Sequence, residues 1–200
     1  MAYSRSKIWL LRLGYLYAYP LEIGVSRANA GAIVRADVDR WIECIGLPEL
    51  NELGPYARFC YLASALREFR SLLHYRIRAA PTVIRAVLKV VYRGEPTLIL
   101  EADSIGPGLF IQHGYATLVS AESIGSNCWI NQNASVGYSS KGRPTLGDDV
   151  TVGPGAVVTG PIMLHDGCRI GPNAVVFRDV EPATTMLAGP TVARKSSNDQ

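Results

Sequence analysis

Three histidines are the side chains of this chain best suited to acid–base chemistry, because imidazole titrates near neutral pH. They are His74, His113 and His165, and His113 stands in the segment I-G-P-G-L-F-I-Q-H-G-Y-A-T. An imidazole beside a bound alcohol can take the hydroxyl proton while the oxygen attacks an electrophile. A lone histidine is equally well explained as a polar corner residue bonded to the backbone. The residue type alone leaves both interpretations open.

Two carboxylates precede His113 closely enough in the sequence to serve as its orienting acceptor. A general base is normally held by a hydrogen-bond acceptor on its second nitrogen. Glu101 and Asp103 are the nearest candidates. Asp103 is also well explained as an ordinary turn residue. His74 falls in a predicted helix and His165 at a predicted turn, so we expect packing or surface roles for both.

Cationic side chains in two later segments indicate binding of an anionic ligand. Lys141 and Arg143 occur among small hydroxyl residues in segment 138–144, a composition that suits phosphate groups. Arg194 and Lys195 form a second pair near the end of the chain. For that pair, a solvated tail explains the residues as well as ligand binding does.

The elements that must position these residues are six-residue repeats. A unit with one buried side chain cannot bury its apolar face alone, so successive units must stack into a solenoid. Six residues suffice for a short strand and a turn, and three units complete one coil. The recurring aliphatic residues are Ile105, Ile111, Leu118, Ile124, Ile130, Val136, Leu146, Val152, Val158, Leu164, Ile170 and Val176.

The six-residue period breaks twice, each time beside candidate site residues. The spacing from Ile111 to Leu118 is seven, which predicts a local adjustment around the intervening histidine. The spacing from Val136 to Leu146 is ten, which predicts that about four residues of segment 138–144 are extruded as a loop. Insertions in a solenoid are frequent locations of binding sites, although a tolerated surface bulge is the simpler explanation.

A helical region is predicted before the repeats. Residues 35–50 have helical spacing and end at Gly46 and Pro48, a second helical region runs from 56 to 80, and a third from 82 to 92. The fold class is therefore α+β, an N-terminal α-helical region followed by a parallel β-helix. The predicted division is 1–96 for the helices, 97–182 for the β-helix and 183–200 for a C-terminal tail.

Composition narrows the class of protein further. The 200 residues are 48% hydrophobic, enough for one core, and the net charge of +3 with dispersed basic residues argues against nucleic-acid binding. The apolar stretch 8–19 is interrupted by Arg12 and is too short to span a membrane. The cysteines show no pairing or metal-ligand spacing, so we expect buried thiols in the cytoplasm. They are Cys44, Cys60, Cys128 and Cys168.

The repeat resembles that of the hexapeptide-repeat acyltransferases, whose fold is a left-handed parallel β-helix. The segment E-F-R-S-L-L-H-Y-R-I, residues 68–77, resembles the helix that precedes the coils in serine acetyltransferases, and the block ending at His113 resembles their catalytic segment. The following I-G-S-N-C-W-I-N-Q-N-A-S-V-G is similar to the polysaccharide-cluster branch. The resemblance covers about residues 66–190.

The resemblance implies an acetyl-CoA-dependent O-acetyltransferase with His113 as general base and no metal. It also implies a homotrimer with the active site between subunits, and it leaves open a hexamer formed through the N-terminal helices. Coenzyme A binding is expected from basic side chains and the loop. The candidates are Tyr138, Lys141, Arg143, Arg194 and Lys195.

The sequence departs from the family at the acceptor side. Leu98 stands where the family's orienting aspartate aligns, and Gln112 replaces the aspartate that precedes the histidine. Arg143 belongs to a Gly-Arg-Pro segment, whereas the family has Arg-His before the proline. Without a carboxylate at 112, the natural partner of an α-ammonium is missing. A sugar hydroxyl needs no such charge and would suit Gln112 and Tyr115, so the acceptor is either serine or a sugar of a surface polysaccharide.

Two further classes remain as alternatives. A metal-binding β-helix would need three converging histidines, and only His113 and His165 lie in the coils. An inactive scaffold would keep the fold without the chemistry.

Overall fold

A computed structural model describes residues 11–189, which form a helical region followed by a parallel β-helix. This confirms the predicted fold class, whereas the left hand of the coils stays a prediction from the resemblance. The helices are α1 (Leu11–Arg27), α2 (Gly31–Ile45), α3 (Pro48–Asn51), α4 (Pro55–Ala65), α5 (Arg67–Arg76), a 3₁₀ turn (Ile77–Ala79) and α6 (Thr82–Val91). None of these helices has the length and apolar character needed to cross a bilayer.

Helix α2 ends as its sequence predicts, because Gly46 adopts a left-handed conformation with φ of 67°. The second helical region, predicted over 56–80, is confirmed as α4, α5 and the 3₁₀ turn, with extended backbone at Leu66 between α4 and α5. The guanidinium of Arg70 explains the break. It donates to the carbonyl oxygens of Ala63 at 2.8 Å and Ser64 at 3.2 Å, and so satisfies the end of α4.

Within residues 11–189, twelve short strands form the coils, and every pair of neighbouring strands is parallel. The strands are β1 (Leu98–Ile105), β2 (Phe110–Gln112), β3 (Thr117–Ile124), β4 (Trp129–Asn131), β5 (Ser135–Gly137), β6 (Thr145–Leu146), β7 (Thr151–Val152), β8 (Val157–Thr159), β9 (Met163–Leu164), β10 (Arg169–Ile170), β11 (Val175–Val176) and β12 (Thr185–Met186).

The strands line three faces of a prism. Strands β1 and β3 are long enough to bend around a corner, so the first half of β3 pairs with β5 and its second half with β6. The first face therefore holds the N-terminal halves of β1 and β3 with β5, β8 and β11, and the second holds their C-terminal halves with β6 and β9. The third face holds β2, β4, β7, β10 and β12.

Strand register confirms the extruded loop. Leu146 pairs with Leu164, 18 residues later, which is the length of three six-residue units. Ile124 pairs with Leu146, 22 residues later. The coil that contains segment 138–144 is thus four residues longer than a regular coil.

The inward-facing residue at the first break is Val119, and the prediction of Leu118 is wrong. Val119 is fully buried and pairs with Val136, whereas Leu118 is half-buried and pairs with Ser135. Neighbouring side chains of a strand point to opposite faces, so a shift of one residue exchanges inside for outside. The spacing from Ile111 to the next inward-facing aliphatic residue is therefore eight rather than seven.

The cysteines are free thiols. Cys60, Cys128 and Cys168 are fully buried, which confirms their packing role, whereas Cys44 is only partly covered. Burial raises the pKa of the Cys128 thiol to about 12 and that of Cys168 to about 11, so both thiols stay protonated and unreactive near neutral pH.

Candidate active site

His113 occupies the corner between the third and first faces. This histidine corner, residues 113–116, connects β2 to β3 and carries the two extra residues of the first break. The backbone of His113, Gly114 and Ala116 has positive φ values of 66°, 51° and 47°. Positive φ is unfavourable for a residue with a side chain, so the corner must be held by its surroundings. The imidazole of His113 is half-buried.

Hydrogen bonds from the helical side hold the histidine corner. The hydroxyl oxygen of Thr97 accepts from the Ala116 amide at 3.0 Å, and the Thr97 carbonyl accepts from the Thr117 amide at 3.1 Å. The Thr97 hydroxyl in turn donates to the buried carboxylate of Glu95 at 2.9 Å. The Glu95 amide donates to the hydroxyl of Ser71 on α5 at 2.9 Å. The corner is therefore tied to α5 rather than left as a free turn.

Helix α5 also brings a carboxylate that sequence reasoning did not select. The Cγ atom of Glu68 lies 2.8 Å from the point that a Cβ on Gly114 would occupy, and Leu98 Cδ2 lies 3.6 Å from the same point. Glu68 is therefore packed against the residue that follows His113. Its presence in the E-F-R segment was visible in the sequence, but nothing in that segment indicates which coil residue it reaches.

Two proposed acceptor-binding residues flank His113. Gln112 is the last residue of β2, pairs in register with Asn131 and is half-exposed. Tyr115 is 44% exposed, and its carbonyl oxygen accepts from the Asn133 amide at 2.8 Å. Both lie on the same corner as the imidazole, so a molecule bound there could contact all three.

Glu101 and Asp103, the two predicted orienting residues, lie further along β1. Strand β1 is in register with β3, so that Leu98 pairs with Thr117, next to the histidine corner, and Glu101 pairs with Ser120. Asp103 is five residues beyond Leu98, roughly 16 Å along the strand. Its carboxylate accepts from Arg143 at 2.6 Å. The structure thus brings Asp103 to Arg143 at the opposite end of the first face from His113.

The extruded loop, residues 138–144, forms the corner between the first and second faces. Ser139 and Gly142 exchange backbone hydrogen bonds of 2.9 and 3.3 Å, which closes a tight hairpin around Lys141. Tyr138 is 70% exposed and Lys141 is exposed, while Arg143 is half-buried. Three predicted coenzyme-binding side chains therefore share one loop, whereas Arg194 and Lys195 lie outside the described residues.

His113 and the loop occupy different corners of the same subunit. The histidine corner joins the third face to the first, and the loop joins the first face to the second. The width of the first face separates them. A single ligand that touches both in one active site would have to reach across this face or lie between two copies of the chain.

The other histidines do not join the site. His74 Nε2 lies 2.7 Å from the carbonyl oxygen of Tyr92, which confirms its packing role between α5 and α6. Burial lowers the pKa of His74. His165 is half-buried on the corner between the second and third faces. Within residues 11–189, no three histidine, cysteine or carboxylate side chains are grouped as metal ligands.

Known protein families and proteins similar to this chain are transferases. A family described as bacterial transferase hexapeptide (six repeats) matches residues 143–178. A serine acetyltransferase of Helicobacter pylori is 35% identical over 140 residues, which cover 67% of this chain and 77% of the relative. The chain belongs to the serine acetyltransferase family. This confirms the resemblance seen in the repeats and in the His113 segment, and it makes the protein an acyltransferase.

Other members of the serine acetyltransferase family agree. The enzyme of Synechococcus elongatus is 38% identical over 91 residues, 43% of this chain and 37% of that protein. The crystal structure of the Neisseria gonorrhoeae enzyme in complex with serine superposes with a TM-score of 0.63 and 21% identity, and covers 89% of this chain and 82% of that chain. At that identity the superposition shows a shared fold.

Proposed function

We propose that this acyltransferase transfers the acetyl group of acetyl-CoA to an acceptor hydroxyl, with His113 as general base. The observation that carries the proposal is the half-buried imidazole on a corner that contains two extra residues and has positive φ angles. This corner occurs in a chain of the serine acetyltransferase family. A strained histidine on a corner braced by Thr97 and Glu95 is what a preorganised base requires.

The reaction is a direct transfer between two bound substrates. An imidazole nitrogen of His113 takes the hydroxyl proton as the acceptor oxygen bonds to the thioester carbonyl carbon. The tetrahedral intermediate then breaks its carbon–sulfur bond, and the imidazolium returns the proton to the departing thiolate. The products are an O-acetyl ester and free coenzyme A, and no covalent acetyl-enzyme is needed.

The Tyr138–Pro144 loop is proposed to hold coenzyme A. Lys141 and Arg143 offer cations for its phosphates, and the exposed ring of Tyr138 can stack on its adenine. Because the loop and His113 lie on different corners, we propose that each active site combines the histidine corner of one subunit with the loop of a neighbour. A closed homotrimer satisfies this arrangement three times, and pairing of two trimers through the helices would give a hexamer.

L-serine is the proposed acceptor, because the relatives that cover most of this chain are serine acetyltransferases. Gln112 favours a second candidate, a sugar hydroxyl. An amide offers neutral hydrogen bonds at the position beside His113, and Tyr115 adds an exposed ring that can pack on a pyranose. No counter-charge for an α-ammonium is required by a neutral sugar.

Free-thiol release from acetyl-CoA tests the proposal. Purified protein is assayed with L-serine and with a panel of sugars and nucleotide sugars. Release with serine supports the first acceptor, and release only with a sugar supports the second. No release with any of them would overturn the proposed transferase activity.

The base is tested with a matched pair of variants. His113→Ala should abolish turnover and leave the melting temperature nearly unchanged, because the imidazole is half-buried and outside the hydrophobic core. His165→Ala, at another half-buried coil corner, should keep wild-type activity. Retained turnover in His113→Ala would remove His113 from the role of base.

A further inference from the structure

The histidine corner lacks a carboxylate from its own strand neighbour. Leu98, which pairs with Thr117 on the next coil, presents an apolar side chain within 3.6 Å of the Cβ position of Gly114. An imidazole that takes a proton benefits from an anion that fixes its tautomer and stabilises the imidazolium. Asp103 is engaged by Arg143 at the other end of the face.

Glu68 is a charged side chain packed against Gly114 of this corner. The three atoms nearest to the Cβ position of Gly114 belong to Glu68, Ile111 and Leu98, and only Glu68 carries a polar group. The two aliphatic side chains are buried, and Glu68 itself is half-buried. A carboxylate in such a setting interacts more strongly with a neighbouring cation than it would in bulk solvent.

Glu68 lies at the N-terminal end of its helix. Glu68 is the second residue of α5, in the first turn, where the helix dipole stabilises negative charge. Arg67 and Arg70 on the same helix are the nearest cations in sequence, and Arg70 is committed to the backbone carbonyls of Ala63 and Arg93. This placement explains Glu68 as a charge that stabilises the helix dipole, and an acceptor role at the coil corner is compatible with it.

Glycine at 114 makes the approach of Glu68 possible. With φ of 51° and Glu68 Cγ at 2.8 Å from the Cβ position, any side chain at 114 would push the glutamate away. The residue after the base therefore leaves room for the carboxylate rather than only relaxing a turn.

We propose that Glu68 is the positioning residue of His113. Its carboxylate accepts a hydrogen bond from the N–H of the imidazole, so that the other nitrogen faces the acceptor hydroxyl, and it stabilises the imidazolium formed during the reaction. The inference rests on the proposed function of His113 as base. It assigns to α5 the orienting role that the sequence predicted for the carboxylates of β1.

Glu68→Gln tests the inference, with Glu52→Gln, an exposed glutamate at the end of α3, as the matched control. In Glu68→Gln, kcat should fall at least about 10-fold, while KM for acetyl-CoA stays at the wild-type value, because orientation of the base is lost and coenzyme binding is not. Glu68→Asp, which keeps the charge, should recover part of the loss. Glu52→Gln should behave as wild type.

A spectroscopic readout separates this inference from the proposed function. The ¹⁵N signals of the His113 ring, assigned by their absence in His113→Ala, report which nitrogen carries the proton. One tautomer is expected in the wild type and a mixture in Glu68→Gln. Wild-type ring signals and kinetics in Glu68→Gln, with His113→Ala inactive, would overturn the inference alone. An active His113→Ala would overturn the proposed base, and the ring signals would still decide whether Glu68 holds the imidazole.

Discussion

Arg76 and Asp37 form a two-pronged ion pair that is buried between α5, α2 and the first coil. The guanidinium donates to both carboxylate oxygens at 2.8 and 3.0 Å, and the two side chains are 3% and 1% exposed. Arg76 also donates to the carbonyl oxygens of Ile105 and Gly106 at 2.6 Å, and Asp37 accepts the Gly108 amide at 2.7 Å. This pair joins the helical region to the coil that carries the proposed base.

Breaking that ion pair should strongly destabilise the protein. Burial raises the pKa of Asp37 while Arg76 opposes the rise, so removal of the guanidinium leaves a buried carboxylate without its charge partner. Arg76→Met is expected to lower the free energy of unfolding by about 3–5 kcal/mol, measured by chemical denaturation.

The control is Arg67→Met, at an exposed arginine of the same helix, which should change the free energy of unfolding by less than about 0.5 kcal/mol. The double variant Arg76→Met/Asp37→Leu should recover part of the loss. Equal effects of Arg76→Met and Arg67→Met would contradict this account.

Close stacking of consecutive coils should make Gly125 intolerant of a side chain. A Cβ at this position would collide with the Asp148 carboxylate and the Gly147 backbone on the next coil. The Asp148 carboxylate also accepts the Ser126 amide at 2.6 Å, so it cannot easily move. Gly125→Ala should cost about 1–3 kcal/mol in urea unfolding. Gly31→Ala, where the methyl group meets only an arginine tip at 3.5 Å, is the control and should be neutral or stabilising.

Removal of the loop cations should weaken coenzyme binding without unfolding the protein. The Arg143–Asp103 pair is 31% and 71% exposed, and exposed pairs contribute at most about 1 kcal/mol. Lys141→Ala/Arg143→Ala should therefore raise KM for acetyl-CoA at an unchanged melting temperature. Asp103→Asn frees Arg143 without removing a cation from the loop, and should leave KM unchanged or lower it. A double variant with wild-type KM would exclude the loop from the coenzyme site.

A shared active site predicts complementation between two impaired chains, assayed at an acetyl-CoA concentration well below the KM of the loop variant. Co-expression of His113→Ala subunits with Lys141→Ala/Arg143→Ala subunits gives mixed trimers. In these trimers, some active sites combine the intact histidine of one chain with the intact loop of the other. Random assembly should restore roughly a quarter of wild-type activity. Activity no higher than the sum of the separate variants would place both elements of a site in one subunit.

Stability should decrease as pH falls through the titration of His74. Burial is the main cause of its lowered pKa, with smaller contributions from Lys89 and Arg70. Since the unfolded state binds the proton more readily, the contribution of neutral His74 is complete above the usual value of 6.5 and is lost as pH falls below it towards the folded pKa. His74→Gln keeps a donor for the Tyr92 carbonyl without titrating, so its melting temperature should vary less with pH than that of the wild type. Parallel pH profiles for the two proteins would contradict this assignment.

Much of the β-helix was predictable because its pattern is local. Each six-residue unit contacts its equivalent in the next coil, so the buried positions from Ile124 to Val176 could be read from spacing alone. The four-residue excess of the loop followed from the same count, and its register confirms it. His113 stood out because the period breaks around it.

Only tertiary structure decided the features that depend on contacts distant in sequence. Pairing with β5 shows that Val119, rather than Leu118, faces the core. The break between α4 and α5 at Leu66 follows from the hydrogen bond that Arg70 donates to the end of α4. The packing of Glu68 against Gly114 joins a helix to a coil corner across 46 residues. A periodic sequence repeats the contacts between adjacent coils, but each helix–coil contact occurs once and leaves no periodic signal. Periodicity therefore determines the coils and the location of the candidate base, and three-dimensional packing decides which side chains surround it.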